Sequence, residues 1–219
     1  MLKGILNILF PPKCILCRKV LADRETDLCP ACRKSVKDFT KSKRNIPFVA
    51  RWTALWYYRE NVKRSIHRFK FYGGRYLAPV FGWLLGMRLL QDYPDGYDLI
   101  TWVPVGSLRR LKRGYDQSEL LAAATAQELG YVPTKLLKKI RNTPPQSGIK
   151  DPAKRRANVL GAYRVVNPEA VAGKRILLLD DVVTTGATFS ECARILMTAG
   201  AKEVSCAAIA AAFHNNKNM

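Results

Sequence analysis

Hydrophobic and polar positions along this chain alternate at two periods, and the period assigns most of its elements. Residues 176–179 are four consecutive aliphatics followed by Asp180 and Asp181, a pattern that suits a strand buried on both faces. The chain then turns at Gly186. Residues 187–199 carry Phe189, Ala193, Leu196 and Met197 at helical spacing, and Gly200 stands where a helix would stop. Strands are also expected at 51–59, 98–103, 134–137, 161–166 and 203–210. Helices are expected at 1–10, stopped by Pro11 and Pro12, and at 62–71 and 77–90. A further helix opens on the D-x-x-E signature of Asp116 and Glu119 and carries Leu120, Leu121, Ala124 and Leu129.

The strand, turn and helix at 176–200 have a chemical use. Backbone N–H groups at a helix N-terminus are unpaired and partly positive, so a phosphate docks there. Gly186 permits close approach of the backbone, and Thr184, Thr185 and Thr188 add hydroxyl donors. Asp180 and Asp181 offer acceptors to sugar hydroxyls or to the waters of a bound Mg²⁺. An acidic strand end before a Thr-capped helix is the plainer reading of the same residues, but the full combination suits a phosphorylated ribose.

Residues 176–188 resemble the signature of type I phosphoribosyltransferases: four hydrophobics, two acidic residues and a Thr-Thr-Gly-x-Thr loop. The resemblance implies that Asp180 and Asp181 hold the ribose hydroxyls of phosphoribosyl pyrophosphate (PRPP). It gives the cradle of the 5-phosphate to Thr184, Thr185, Gly186, Ala187 and Thr188.

Charge changes the picture next. The 219 residues carry a formal net charge of +20, with a sequence pI near 10.0, so an anionic partner is expected. The excess is concentrated at the front, where residues 1–75 hold 18 of the 37 Lys and Arg but only 5 of the 17 Asp and Glu. Within 51–75, Trp52, Trp56, Tyr57, Tyr58, Phe69, Phe71 and Tyr72 interleave with Arg51, Arg59, Lys63, Arg64, Arg68, Lys70 and Arg75. Two readings stand open: a surface that stacks the bases of single-stranded DNA and neutralises its phosphates, or a core of aromatics with a solvated cationic rim. Residues 33–51 read as a basic linker or exposed arm.

Cys14-x-x-Cys17 and Cys29-x-x-Cys32 are two close pairs that supply four thiolates for tetrahedral Zn²⁺, in a segment too small to build its own core. Two disulfides are the alternative, and nothing here points to an oxidising compartment. With four Cys ligands the site has no open position, so the metal is structural. Cys192 and Cys206 lie in apolar contexts and read as small buried hydrophobes. His67 and His214 are the only histidines, which argues against a His-based triad. The apolar run at 2–10 is shorter than a signal peptide requires, so the cytoplasm is the expected location. The same run packs on its own protein or makes transient contact with a membrane surface.

Two basic stretches complete the pattern. Residues 104–114 form a basic turn with Arg109, Arg110, Lys112 and Arg113, suited to a pyrophosphate. Residues 141–158 form a polar loop in which Lys150, Lys154, Arg155 and Arg156 could close over a polyanion. The run from Val103 to Gln117, the run from Thr143 and Gln146 to Arg155 and Asn158, and the four-Cys front end together resemble the ComF family. These are competence-type proteins with a zinc finger ahead of a phosphoribosyltransferase domain. The chain departs from that pattern at Gly106, in place of a second Pro, and at Tyr115 and Asp116, in place of Phe and Asn.

The resemblance implies an α/β fold of type I phosphoribosyltransferase kind, a mostly parallel sheet flanked by helices, with a small N-terminal zinc-ribbon-like module. The expected divisions are 1–45 for the helix and zinc finger, 46–97 for a basic aromatic connection, 98–213 for the phosphoribosyltransferase-like domain and 214–219 for a polar tail. It further implies a role in DNA uptake during natural transformation, with PRPP or a nucleotide, single-stranded DNA and a helicase-like protein as partners. The cofactors would be structural Zn²⁺ and Mg²⁺ with PRPP. Transfer of the phosphoribosyl group to a nitrogen acceptor is the alternative function. The chain lacks G-x-x-x-x-G-K-[ST], so a motor for DNA movement would come from the partner.

Overall fold

The computed structural model describes residues 11–22, 25–40, 44–144 and 151–212. The helix expected at 1–10, Lys150 and the tail with His214 lie outside them.

Strand β5 (Arg175–Val183) lies at the centre of a parallel four-stranded sheet of order β1-β6-β5-β2, with β1 Arg51–Tyr57, β2 Leu99–Trp102 and β6 Glu203–Ala211. Successive strand side chains point to opposite faces, so the aliphatic run serves two cores at once. Leu177 and Leu179 enter one core, together with Ile66, Phe69, Phe81 and Leu121. Ile176 and Leu178 enter the other, with Phe189, Cys192, Leu196 and Cys206. Helices α2 (Glu60–Phe71), α3 (Ala78–Asp92) and α5 (Gln117–Glu128) supply the first core, and α8 (Ala187–Thr198) supplies the second. This is the expected α/β sandwich.

Several expectations need adjustment. The strand read at 134–137 falls instead at β3 (Leu137–Lys139), which pairs antiparallel with β4 (Tyr163–Val165) in a separate two-stranded sheet. The basic turn after β2 is a helix, α4 (Ser107–Arg113), closed by Gly114 at φ +77°. Part of the supposed loop at 141–158 is α6 (Pro152–Val159), whose N-cap Asp151 accepts from the amides of Ala153 and Lys154. Short helices α1 (Pro30–Ser35) and α7 (Pro168–Val171) complete the set.

The aromatic segment at 51–75 is not a mere connection, because β1 is hydrogen-bonded along β6 as part of the main sheet. Trp56 and Phe69 are buried, whereas Phe71 and Tyr72 are exposed. Several of the cations there are also engaged within the protein. Arg68 donates to the carbonyls of Ile15 and Leu16 at 2.6 and 2.8 Å, and Arg75 lies over the Tyr115 ring at 5.3 Å. Part of that composition therefore builds the core and its braces, and part of it stays at the surface.

Residues 36–40 and 44–50 are likewise no exposed arm. The Phe39 amide donates to Leu55 O and the Tyr57 amide to Lys37 O, at 2.9 and 3.0 Å, so this strap covers the open edge of β1. Among the described residues, no helix is long and apolar enough to cross a membrane.

Helices α3 and α5 pack closely through small residues. A Cβ placed on Gly82 would lie 2.4 Å from the Ala124 Cβ and 2.7 Å from its backbone carbon. Ala in a helix interior gains about 1 kcal/mol over Gly in propensity, but overpacking of this kind costs about 1–3 kcal/mol. Gly82→Ala is therefore expected to lower the denaturant midpoint; an unchanged or raised midpoint would show that the helices separate freely.

Candidate functional site

The C-terminal ends of β2 and β5 open into a cavity of about 610 Å³, walled by α2, α4, the N-terminus of α5, the β3–β4 pair and the start of α8. In open parallel sheets ligands bind at this end of the strands.

Asp180 and Asp181 lie within β5, which continues to Val183, so their side chains leave toward different walls. Asp181 is 3% exposed. Its carboxylate takes Lys70 Nζ of α2 at 2.8 Å and Gln117 Nε2 of α5 at 2.9 Å, and so is charge-paired and hydrogen-bonded. Asp180 Oδ1 accepts from the Ser118 hydroxyl at 2.9 Å and from the Asp181 amide at 2.8 Å. Burial, followed by the adjacent Asp181 charge, pushes the Asp180 carboxyl up to about 7.

The loop after β5 ends at Gly186, whose φ of +83° is the left-handed conformation that favours glycine. The first amide inside α8 to find a helical carbonyl is that of Ser190, bonded to Gly186 O at 2.8 Å. The preceding amides, at 187–189, border the cavity. Thr184, Thr185, Gly186, Ala187 and Thr188 all line it, together with both acidic residues.

Of the cations expected beside them, Arg109 and Arg113 line the cavity. Arg109 donates to Thr143 O at 2.5 Å; Arg113 donates to Gln117 Oε1 at 2.6 Å and lies over the Phe71 ring at 4.6 Å. Arg110 instead pairs with Glu119 at 3.4 Å, outside the lining, and Arg155 on α6 is outside it as well. The three departures at the turn are accommodated locally. Asn142 Oδ1 lies 2.8 Å from where a Cβ on Gly106 would sit, and the Tyr115 hydroxyl donates to Phe69 O. Asp116 caps α5 at the Ser118 and Glu119 amides, accepts the Val105 amide at 2.9 Å, and does not line the cavity.

The structure adds residues that the motifs did not single out for this site. Lys63, His67 and Lys70 all line the cavity, and their 4-then-3 spacing, one face of a helix, is the signal the sequence carries for them. Gln117 and Ser118 sit beside a recognised cap without any signature of their own. Lys139, from β3, lies over the Tyr163 ring at 5.1 Å; burial, then Arg109, pulls its amine down to about 8.

The cysteine cluster is separate from the cavity. The Sγ atoms of Cys14, Cys17, Cys29 and Cys32 all lie within 4.8 Å of one another, and those of Cys17 and Cys29 are 3.6 Å apart. Tetrahedral Zn²⁺ with bonds of about 2.3 Å separates its sulfurs by about 3.8 Å. The donor chemistry agrees. Against the upward push of burial, the amides of Cys17, Cys29 and Leu16 bring the Cys14 thiol down to about 7. Burial and then the neighbouring thiols drive Cys32 up, so four thiolates need a cation among them. Asn61 reaches Cys32 Sγ at 3.6 Å, and the Ser65 hydroxyl donates to Ile15 O at 2.5 Å, fastening the cluster to α2.

Comparison with known proteins agrees with this architecture. The chain matches the phosphoribosyl transferase domain family over residues 116–218 and the double zinc ribbon domain family over residues 5–43. It is 27% identical to Competence protein F of Haemophilus influenzae, over 88% of this chain and 93% of that protein. It is 25% identical to Competence protein ComFC of Bacillus subtilis, over 85% of this chain and 78% of that protein. Among solved structures, a glutamine PRPP amidotransferase from B. subtilis, complexed with ADP and GMP, aligns at 25% identity and a TM-score of 0.42. That alignment covers 61% of this chain and 26% of the amidotransferase, so the chain spans about a quarter of its length.

Fold and sequence thus define a phosphoribosyltransferase-type domain preceded by a four-Cys zinc ribbon. Along most of its length the chain is similar to proteins named for competence, Competence protein F and ComFC among them.

Two outcomes follow from this geometry. Purified protein is expected to hold about one Zn²⁺ per chain and to lose it in Cys32→Ser, with a lower melting temperature, because binding of a structural metal is folding free energy. Metal analysis finding no zinc in wild type would refute the assignment. The raised carboxyl of Asp180 gives the second. The folded state holds its proton between the unfolded value of about 4 and the folded value of about 7. Stability from this group therefore falls as pH rises through that window, and the penalty is complete above it. Asp180→Asn removes the penalty, so its melting temperature should exceed wild type at pH 8, and by less at pH 5. An equal offset at both pH values would contradict the shift.

Proposed function

We propose that this chain binds PRPP or a related phosphoribosyl ligand in the β5 cavity and serves a competence-related pathway of DNA handling. One observation carries the reading. A single cavity gathers an acidic pair, a left-handed glycine loop at a helix N-terminus and the guanidinium groups of Arg109 and Arg113. Asp180 and Asp181 hold the ribose hydroxyls, the amides and hydroxyls of 184–188 hold the 5-phosphate, and Arg109, Arg113 and Lys139 face the pyrophosphate.

Mg²⁺ fits this donor set through one carboxylate. The charge of Asp181 is already matched by Lys70, whereas Asp180 accepts its two hydrogen bonds at Oδ1 and leaves Oδ2 for the ion. When bound, the ion neutralises charge on the pyrophosphate. The names of the relatives support the competence role. Net charge and the cationic lip at Lys63, Lys112 and Arg113 support single-stranded DNA as a second ligand in the cytoplasm, with motion of the strand supplied by a helicase-like protein.

A second reading is favoured by the carboxyl of Asp180, which stands near 7 at the cavity floor. In an active phosphoribosyltransferase an acceptor nitrogen attacks C1, the bond from C1 to pyrophosphate oxygen breaks, and Asp180 takes the acceptor proton.

Calorimetric titration with PRPP and Mg²⁺ tests the first reading. Wild type should release heat, Asp180→Ala/Asp181→Ala should release none, and single-stranded DNA should compete. DNA affinity should fall roughly 10²–10³-fold between 50 and 200 mM salt for about six neutralised phosphates. Absence of heat from wild type would sink the ligand assignment, and a flat salt response would sink the DNA assignment. Release of pyrophosphate only when an acceptor is present would establish the second reading.

A further inference from the structure

The strap that leads from the zinc ribbon to β1 presses on the loop after β5 at two independent points. Arg44 donates from Nη1 to the carbonyl oxygen of Thr184. Ile46, 2% exposed, occupies the place a side chain on Gly186 would need, with Cδ1 and Cγ1 each 2.9 Å from an ideal Cβ there. Both contacts are anchored from outside the loop. The Trp52 ring of β1 lies 4.7 Å from the Arg44 guanidinium, and its indole N–H donates to Arg44 O at 2.9 Å. Phe39 packs on Trp52 at 4.9 Å between ring centroids, and the Ala50 amide donates to Val204 O of β6 at 2.9 Å.

We propose that Arg44 and Ile46 are positioning residues that aim the loop amides into the cavity and so set the affinity for a terminal phosphate. The inference rests on the reading of 184–188 as a phosphate cradle. Its physical basis is the planarity of the peptide bond. In a trans peptide the C=O and the following N–H point in opposite directions. The Thr184 carbonyl is drawn to the guanidinium behind the loop, so the Thr185 N–H is turned to the other side, where Thr184 and Thr185 line the cavity.

Gly186 adds the second constraint. Only a residue without Cβ both adopts φ +83° readily and admits the Ile46 side chain against its Cα, so the bend that opens α8 is fixed by packing as well as by torsion. Neither Arg44 nor Ile46 lines the cavity, so each acts through the loop. The half-buried guanidinium also places a fixed positive charge behind the cradle, where burial weakens screening. The charge and the orientation favour the same occupant, a phosphate monoester, over a ligand held only by the cations of α4.

Two probes separate these subsites. Ribose 5-phosphate presents a monoester to the cradle, and inorganic pyrophosphate presents its charge to Arg109 and Arg113. In calorimetric titrations Arg44→Ala should weaken ribose 5-phosphate by about tenfold, the scale of one lost charge-assisted hydrogen bond, and Ile46→Ala should weaken it as well, while pyrophosphate changes by less than about twofold in either. Arg44→Lys, which keeps a donor and the charge, should recover part of the loss. The Thr185 amide resonance should shift in Arg44→Ala even in the absence of ligand, and thermal melts identify a variant that fails to fold. Ile46→Ala provides an independent route should Arg44→Ala unfold. Unchanged ribose 5-phosphate affinity in a folded variant overturns the brace alone. Parallel loss of both probes overturns it too, as a general structural effect. Wild type that binds pyrophosphate but not ribose 5-phosphate overturns the cradle reading together with the brace.

Discussion

A carboxylate cannot enter a protein interior alone, and the burial of Asp181 organises much of this molecule around that constraint. Its two oxygens are taken by Lys70 of α2 and Gln117 of α5, so one side chain of the central strand ties together the helices of one face. Helix α2 is also the helix to which the cysteine cluster is fastened through Asn61, Ser65 and Arg68. The zinc ribbon and the cavity therefore share a wall. Removal of Lys70 would leave a buried charge unpaired, a larger loss than an exposed ion pair could cause.

The exceptional positive charge of the chain is less available than its sequence total implies. Arg68, Arg75 and Arg113 satisfy carbonyls, carboxamides or aromatic faces within the fold, and Arg51 lies over Tyr93 while pairing loosely with Asp95 and Glu203. The cations at the cavity mouth, Lys63 and Lys112 among them, stand at the end of the sheet where anionic ligands dock. Basicity here has two uses, bracing and recognition, and composition does not separate them. The same holds for the aromatics: Trp56 and Phe69 are core, Trp52 anchors the strap, and Phe71 remains exposed beside Arg113.

Patterns that depend only on near neighbours in the chain are legible in the amino-acid sequence. The buried strand with its acidic pair, the glycine turn, the Asp116 cap and the paired cysteines each depend on torsion preference, periodicity or short spacing, and each is present at its expected place. Less is legible where residues of one composition can serve several partners. Arg110 and Arg155 carry the same charge as Arg109 and Arg113, yet only the latter two line the cavity, because position along and around a helix decides which guanidinium faces the site. The pair β3–β4 and the helix α6 between them are the least legible elements, because short elements carry little periodic signal.

The sequence by itself determined an α/β chain with a thiolate cluster at its front and a phosphate-type loop after a doubly buried strand, since these follow from torsional and hydrophobic preferences within about a dozen neighbouring residues. Tertiary structure alone decided that Lys70 and Gln117 hold Asp181, that Lys139 joins the cavity wall, and that Arg44 and Ile46 lie behind the loop at Thr184 and Gly186. Those contacts join residues far apart in sequence, and their energy comes from burial, charge pairing and steric fit, which exist only once the sheet has brought the segments together.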